Sequence, residues 1–209
     1  MKPIILGTAF GSRLNLNGDQ GNLLALKRYL VAAGFEVEIR SANTTQAMLE
    51  SDFVLVGHGS KAAMASIETQ LEAIDWTAVK QQVPGLVVGS SFEWLAEHSQ
   101  VTEMIARGDR VSQFEVGSLG TIRALGYRNT DSGLPNLVAS ENLICTMLHG
   151  PVFAKNPKLV DLAARAAVRS ARLEWPASRS HELGSWIETL NRVCGQIWQL
   201  EAAEELPAL

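Results

Sequence analysis

Three segments rich in glycine, serine and histidine each follow an apolar run of strand length. These segments are Gly57-His58-Gly59-Ser60, Gly89-Ser90-Ser91 and Leu148-His149-Gly150-Pro151. A glycine pair lets backbone N–H groups approach a ligand closely, as an oxyanion site requires. A sharp strand-to-helix turn can expose a nucleophile, and a histidine that closes a later strand can serve as its general base. Each segment alone is also typical of a structural feature, since Gly-x-Gly after a strand forms plain turns and a single histidine at a strand end serves as a hydrogen bonder. Together these residue types are those that nucleophilic chemistry at one shared site would need.

The elements around these segments follow the pattern of a parallel sheet covered by helices. Strands are predicted at residues 3–6, 35–40, 52–56 and 85–88, followed by shorter extended pieces at 111–116, 124–127 and 143–148. Helices are predicted at residues 23–31, 62–74, 76–82 and 92–96, and from about residue 159 in two stretches broken around 175–177. Because loops after parallel strands converge, this order brings the three segments together. We predict a single α/β domain over residues 1–209, a three-layer α/β/α fold with a mostly parallel central sheet.

Composition and charge argue against several classes of protein. The 209 residues are 46% hydrophobic and 19% charged, which favours a folded core over disorder. The formal net charge of −4 argues against a nucleic-acid partner, since that binding needs clustered Lys and Arg. No apolar run approaches the roughly 18–20 residues that span a bilayer. Two cysteines, Cys145 and Cys194, fit a reducing compartment, so a cytoplasmic globular protein is expected.

Several of these motifs also resemble those of a known family. Residues 14–22 (LNLNGDQGN), followed by residues 26–28 (LKR), are similar to an N-terminal pattern of the class I glutamine amidotransferases, CobB/CobQ-like branch. Residues 148–157 (LHGPVFAKNP) resemble that branch's catalytic-histidine segment, and residues 125–129 (LGYRN) resemble its Gly-aromatic-Glu-Asn-His segment. The similarity is greatest to glutaminase subunits of lipid II isoglutaminyl synthases, and it extends from about residue 14 to residue 161.

The resemblance implies a fold, an activity and partners. In this family a cysteine at a strand-to-helix elbow attacks the side-chain amide of glutamine, while a histidine transfers the proton. The ammonia passes to a synthetase partner, which is Mur-ligase-like in peptidoglycan biosynthesis and a cobyrinate-type synthetase in cobalamin biosynthesis. A flavodoxin-like fold, His149 as the catalytic histidine, and glutamine or a related small amide as ligand are therefore implied, without a cofactor or metal. Substrate or oxyanion binding is implied for Gly57, His58, Gly59, Arg128 and Asn129.

The chain departs from the family pattern at the elbow. The family sequence there is small-apolar, Cys, Gly, Gly, aromatic, Gln, whereas residues 88–93 are Val-Gly-Ser-Ser-Phe-Glu. The nucleophile position is thus Gly89, which has no side chain. The family's Gly-Gly-Gly-Gln-Asp segment corresponds to residues 57–61 (GHGSK), and Glu-Asn-His corresponds to residues 128–130 (RNT). These changes predict that the fold is kept and that glutaminase chemistry is lost or weakened.

Two other residue types near the elbow, serine and cysteine, are candidate nucleophiles. Ser90 or Ser91 could act with His149, although a serine needs a stronger base than a cysteine because its hydroxyl is far less ionised. The serines are also expected as the N-cap and first residue of the next helix, where a hydroxyl accepts an unpaired N–H. Cys145 lies four residues before His149 on the same predicted strand. At that spacing the two are about 13 Å apart, so Cys145 is expected in the core.

The remaining polar candidates give weaker signals. His58 is expected either to bind a ligand or to cap the next helix. His58, His149 and Asp19 lack the spacing of a metal motif, so no metal site is predicted. The glycine loop at residues 7–18 matches neither a Walker A nor a GxGxxG pattern, so nucleotide binding has no support.

The predicted C-terminal helix carries an apolar stripe. The stripe consists of Trp186, Leu190, Val193, Ile197 and Leu200, with Cys194 and Trp198 beside it. Such a stripe either packs on its own sheet or, since aromatic residues anchor interfaces, contacts a protein partner.

Three functions remain open from the sequence. The first is a glutamine amidotransferase-like protein without glutaminase activity, which acts by binding a synthetase-type partner or a small amide. The second is an active glutaminase or amidohydrolase that uses Ser90 or Ser91 with His149. The third is a drifted sequence that retains no ligand.

Overall fold

The computed structural model describes residues 2–98, 111–115, 121–128, 132–176 and 181–204. The strands are β1 Ile4–Ala9, β2 Val37–Ser41, β3 Phe53–Val56, β4 Gly85–Val88, β5 Val111–Glu115, β6 Thr121–Leu125, β7 Tyr127–Arg128, β8 Leu137–Ser140, β9 Leu143–Thr146 and β10 Leu148–His149. The helices are α1 Gly21–Ala32, α2 Thr45–Leu49, α3 Lys61–Ala65, α4 Glu68–Glu72, α5 Trp76–Gln82, α6 Ser90–Glu97, α7 Val152–Lys155, α8 Pro157–Ser170 and α9 His181–Glu204.

The central sheet has the strand order β2-β1-β3-β4-β9-β8 in the described part of the chain. Strands β2, β1, β3, β4 and β9 are parallel, and the edge strand β8 is antiparallel to β9. The five parallel strands follow the flavodoxin-like order, in which the chain direction across the sheet reverses between β1 and β3. The prediction of a three-layer α/β/α fold with a mostly parallel sheet is therefore confirmed.

The sheet is buried on both faces by separate hydrophobic clusters. On β3, the side chains of Phe53 and Leu55 belong to the cluster that includes residues of α1, α7 and α8. The alternate residues Val54 and Val56 belong to the cluster that includes residues of α2, α5 and α6. Successive side chains of a strand point to opposite faces, so this continuous apolar run is the expected sequence of a central parallel strand.

Some predicted elements differ from the structure in detail. The helix predicted at residues 62–74 is two short helices, α3 and α4, separated at Ser66 and Ile67. The extended piece predicted at residues 143–148 is also divided, because Met147 leaves β9 and its N–H donates to the carbonyl of Asn136. Cys145 and His149 consequently lie on different strands, β9 and β10, and not on one strand as predicted.

The C-terminal helix α9 packs on the molecule through the start of its predicted stripe. Trp186, Ile187 and Leu190 contact the cluster on the α1 and α8 side of the sheet, whereas Val193 is 39% exposed. None of the helices in the described ranges is long and apolar enough to cross a membrane.

Candidate functional site

The three predicted segments meet at the carboxyl ends of the parallel strands. His58 follows β3, Gly89 follows β4, and His149 lies on the short strand β10, which pairs with β7 through Tyr127. The His58 and His149 rings are in edge-to-face contact, with centroids 4.5 Å apart. The loop between β1 and α1 adjoins both histidines, so the site lies beside the point where the strand order reverses, as expected for this class of sheet.

Gly89 forms the sharp turn between β4 and α6. Its φ of 56° and ψ of −119° lie in a region that side chains of L-residues rarely enter. Its N–H donates to the carbonyl of Thr146 at 2.8 Å, and its carbonyl accepts from Glu93 at 3.0 Å. The backbone therefore has the geometry that presents a nucleophile in other α/β enzymes, at a residue without a side chain.

The space above Gly89 is filled by the two histidines. A Cβ atom placed on Gly89 would lie 2.5 Å from Nδ1 of His58 and 2.8 Å from Cε1 of His149. Both distances are shorter than carbon and nitrogen atoms tolerate, so any side chain here requires a histidine to move. The imidazole of His58 thus occupies the volume that a nucleophile side chain would need.

His58 is held in this position from three directions. Its Nδ1 accepts a hydrogen bond from the N–H of Ser90 at 3.0 Å, which satisfies one free donor at the start of α6. Its backbone N–H donates to Oδ2 of Asp19, and its carbonyl accepts from Leu16, both at 3.0 Å. Burial lowers the pKa of His58, against an opposing effect of Glu93, so the imidazole is neutral near pH 7.

His149 is buried beside His58 and is also neutral. Burial, the neighbouring His58 and the charge of Arg128 lower the pKa of His149 to about 4. Its Nδ1 lies 3.1 Å from Nδ2 of Asn17, and its Nε2 has no hydrogen-bond partner among the described residues. Within those residues it forms no hydrogen bond to a hydroxyl or a thiol, so the arrangement offers His149 no nucleophile to activate.

The two serines of the elbow are engaged elsewhere. The Oγ of Ser90 accepts from the N–H of Gly59 at 2.9 Å, and the Oγ of Ser91 donates to the carbonyl of Gly57 at 2.7 Å. Ser91 is buried, and neither hydroxyl bonds to His149. The prediction that a serine is the N-cap of α6 is wrong: Gly89 occupies that position, because the residue at the strained turn is also the last residue before the helix.

Two of the backbone groups predicted to hold an oxyanion are also engaged. The N–H of His58 donates to Asp19 and the N–H of Gly59 donates to Ser90. Arg128 turns toward residues 132–136, where its guanidinium donates to the carbonyls of Ser132 and Leu134 and to the amide oxygen of Asn136. Asn129, the remaining predicted binding residue, lies outside the described residues.

The polar residues of the segment 14–22 connect the site to the scaffold. Asn22 donates to the carbonyls of Asp19 and Gly150 and accepts from the N–H of Phe153. Asn17 contacts His149, as described above. The sequence marks this segment as a motif but predicts no role for these side chains. The alternation of Asn and Asp within it was the available signal, since such residues bond to nearby backbone in loops.

Asp19 is a second unusual group in this segment. It is fully buried, and burial raises its pKa to about 6 despite hydrogen bonds from the backbone, the first of them from His58. Its Oδ1 has no hydrogen-bond partner among the described residues. No group of three or more His, Cys, Asp or Glu side chains in the described ranges is arranged to hold a metal ion.

Neither cysteine supplies a nucleophile. Cys145 is fully buried, and burial raises its pKa to about 12. Cys194 on α9 is buried and its pKa is also raised by burial. Both thiols therefore remain protonated near neutral pH.

Comparison with known proteins gives a distant relative. The chain is 23% identical, over an alignment of 190 residues, to the subunit GatD of lipid II isoglutaminyl synthase (glutamine-hydrolyzing) from Staphylococcus aureus strain N315. The alignment covers 71% of this chain and 78% of that subunit. This similarity supports a glutamine amidotransferase-like relationship. No protein-family model matches the chain.

Two solved structures are similar to the chain only at low identity and with TM-scores below 0.5. A glutamine amidotransferase from Thermotoga maritima is 10% identical with a TM-score of 0.45, covering 93% of this chain and 99% of that one. A two-domain protein from Anabaena variabilis with DJ-1/ThiJ/PfpI-like and ferritin-like domains is 14% identical with a TM-score of 0.44, covering 90% of this chain and 57% of that one. The fold assignment accordingly rests on the strand order of this chain.

Proposed function

We propose that this chain is a CobB/CobQ-type glutamine amidotransferase-like protein that does not hydrolyse glutamine and acts by binding. The observation that carries the proposal is the imidazole of His58, which fills the space above Gly89 where a nucleophile side chain would stand. Glutamine hydrolysis in this fold needs a side chain that attacks the amide carbon. Gly89 has none, and its turn leaves no room for one.

The hydrogen bonds around the elbow support the same conclusion. Stabilising the oxyanion of a tetrahedral intermediate needs N–H donors that are free to turn to the substrate. The N–H groups of His58 and Gly59 already donate to Asp19 and Ser90. A substrate would have to break these bonds, so the site lacks the ready-made electrostatic stabilisation that accelerates acyl transfer.

The partner that we propose is a synthetase-type protein of the Mur-ligase class, in the cytoplasm. GatD is by name a subunit of lipid II isoglutaminyl synthase. We propose that this chain keeps the subunit role, as a single domain, on a peptidoglycan-precursor synthetase and not on a corrinoid one. The exposed side of α9 around Val193 is a candidate contact surface.

Ammonia release from glutamine tests the proposal. The wild-type protein is incubated with glutamine alone, with GatD as the positive control and His149→Ala as the matched variant. We expect the wild type and His149→Ala to release ammonia at the same background rate. Turnover by the wild type that His149→Ala abolishes would contradict the proposal.

A further inference from the structure

The strand β2 lies at one edge of the central sheet and, in the described part of the chain, pairs only with β1. Its residues 38–41 are exposed. The other edge strand, β8, has no exposed residue and packs against β5. An exposed edge presents unpaired N–H and C=O groups to which a further strand can bond. The sheet therefore has one edge, β2, that is open to another chain.

The hydrogen bonds to β1 show which groups of β2 point away from the sheet. The carbonyl of Glu36, just before β2, accepts from Ile4 at 2.8 Å. The N–H of Ala42, just after β2, donates to Thr8 at 3.0 Å. Alternate residues of a strand face alternate sides along the hydrogen-bonding direction, so the even-numbered residues of β2 bond to β1. The residues whose N–H and C=O groups point outward are Val37, Ile39 and Ser41.

The charges on β2 are complementary to a second copy of the same strand. Glu38 and Arg40 project from one face of the strand, where Nε of Arg40 donates to Oε2 of Glu38 at 2.9 Å. In an antiparallel pair of β2 strands with a two-fold axis at Ile39, each Glu38 lies opposite Arg40 of the second copy. Ile39 then lies opposite its own copy as a hydrogen-bonded pair, which its outward N–H and C=O permit. A guanidinium has five N–H donors, so Arg40 can bond to both carboxylates.

The same charges disfavour the neighbouring registers. A two-fold axis at residue 38 would place Glu38 opposite its own copy, and an axis at residue 40 would place Arg40 opposite its own copy. Like charges directly opposite each other destabilise a pair of strands. Charged side chains on an edge usually keep other chains away. Here their alternating sign selects a strand of complementary sequence, and β2 itself is such a strand.

Three of the exposed large apolar side chains adjoin this edge. Leu24, Val31 and Ile39 are 61%, 43% and 36% exposed. On the inner side of α1, Tyr29 donates to Asp161 of α8, and α8 packs over β3. Leu24 and Val31 lie about 140° and about 160° around the helix from Tyr29, since successive helical residues are about 100° apart. They are therefore on the side of α1 that faces the β2 edge.

We propose that β2 is a self-association edge, at which two copies of this chain join their sheets antiparallel about Ile39. The outward main-chain groups of β2 supply the hydrogen bonds, two Glu38–Arg40 pairs fix the register, and the second copy covers the exposed apolar side chains of α1. The α9 surface lies on the other side of α1, where Trp186 contacts Tyr29. A second copy at β2 thus leaves the elbow and α9 accessible, and the inference does not depend on the proposed function.

Sedimentation equilibrium of the full chain tests the proposal with two charge reversals. Arg40→Glu places a carboxylate opposite Glu38 of the second copy, and Glu38→Arg places a guanidinium opposite Arg40. We expect the wild type to dimerise and the dissociation constant to rise about tenfold or more in each variant, because two attractive pairs become repulsive. The matched control is Glu72→Arg at an exposed position of α4, which should leave the dimer unchanged.

An equimolar mixture of the two variants separates this pairing from effects within one chain. Both variants lose the bond between Glu38 and Arg40 of the same strand. In the mixed dimer, however, position 38 of each chain lies opposite a residue of opposite charge at position 40 of the other. We therefore expect the mixture to dimerise although each variant alone does not. A merely structural role of the Glu38–Arg40 bond would give no recovery.

A further variant keeps the test valid if the charge reversals impair folding. Ile39→Pro removes one outward N–H at an edge position, where proline is tolerated, and should abolish the dimer. The inference would be overturned by a wild type that stays monomeric up to millimolar concentration, as expected if this edge binds a different protein or none. It would also be overturned by a dimer that survives both reversals or Ile39→Pro, by equal weakening in Glu72→Arg, or by no recovery in the mixture.

Discussion

The segment at residues 14–22 and the elbow at residues 88–93 differ in which functional side chains they contain. In the first, polar side chains such as Asn17 and Asn22 still tie the β1–α1 loop to His149 and to the residues after it. In the second, the backbone turn is kept at Gly89, but its surroundings hold an imidazole in place of a nucleophile. The comparison shows that the polar side chains that hold the loops of a site can be present where the residue at its sharp turn, Gly89, carries no side chain.

The largest effect is expected for Gly89→Ala, which places a Cβ in the filled space. A side chain in the strained backbone conformation of Gly89 costs about 1–3 kcal/mol, and overpacking against His58 adds about 1–3 kcal/mol. In a double-mutant cycle, the loss of unfolding free energy from Gly89→Ala should be smaller by that second amount in a His58→Gly background. Urea denaturation measures it, with Gly133→Ala, where a Cβ meets nothing within 4 Å, as the control. An equal loss in both backgrounds would show that His58 does not occupy the space.

The next effect concerns the pH dependence of stability, because the pKa shifts of Asp19 and His149 change the free energy of unfolding in opposite directions. The pKa of Asp19 is raised from 3.8 to about 6, so its contribution to stability is full below pH 3.8 and is lost as the pH rises through 6. The pKa of His149 is lowered from 6.5 to about 4, so its contribution is full above pH 6.5 and is lost as the pH falls through 4. Each shift corresponds to about 3 kcal/mol, and the two largely cancel between these limits.

Removing one of the two groups should therefore make the effect of the other on the pH dependence of stability measurable. We expect the unfolding free energy of Asp19→Asn to rise with pH between about pH 4 and pH 6 relative to the wild type, and that of His149→Gln to fall. Urea denaturation of the three proteins across this range checks the signs. Parallel stability curves would mean that neither group titrates as its burial requires.

A smaller loss is expected for Asn22→Ala in the retained segment. Asn22 is fully buried and bonds to Asp19, Gly150 and Phe153. Leaving buried backbone groups without partners should cost about 1–3 kcal/mol. Asn15→Ala, which removes one exposed bond to the N–H of Gln20, is the control and should cost less. If Asn22→Ala lowered the free energy of unfolding no more than the control does, the hydrogen bonds of Asn22 would not be what stabilises this segment.

The sheet and the meeting of the three segments were predictable from the sequence for a clear reason. Apolar runs such as residues 53–56 and 85–88 end in glycine, and buried parallel strands share one carboxyl edge. The contact between His58 and Gly89 was not predictable, because it depends on the direction of one side chain across two loops. The short helices α3 and α4 were missed as separate elements because their apolar spacing continues through Ser66 and Ile67.

The hydrogen bonds of Ser90 and Ser91 could not be predicted from the sequence either. A serine after a strand favours an N-cap, but the cap of α6 is fixed by the strained turn at Gly89. Ser90 and Ser91 instead bond to Gly59 and Gly57 in the neighbouring loop. Hydrogen bonds to the neighbouring loop therefore replace the capping role that the sequence predicted for these hydroxyls.

The proposal that the elbow has no reactive nucleophile is tested most directly by labelling with an electrophilic glutamine analogue, followed by peptide mass spectrometry. GatD serves as the positive control for the reagent, and the H58G/G89C variant tests whether room and a thiol suffice for reaction. We expect no adduct on residues 57–91 of the wild-type protein. An adduct on Ser90 or Ser91 that His149→Ala prevents would contradict this account, because it would show that the elbow still attacks a glutamine-like substrate.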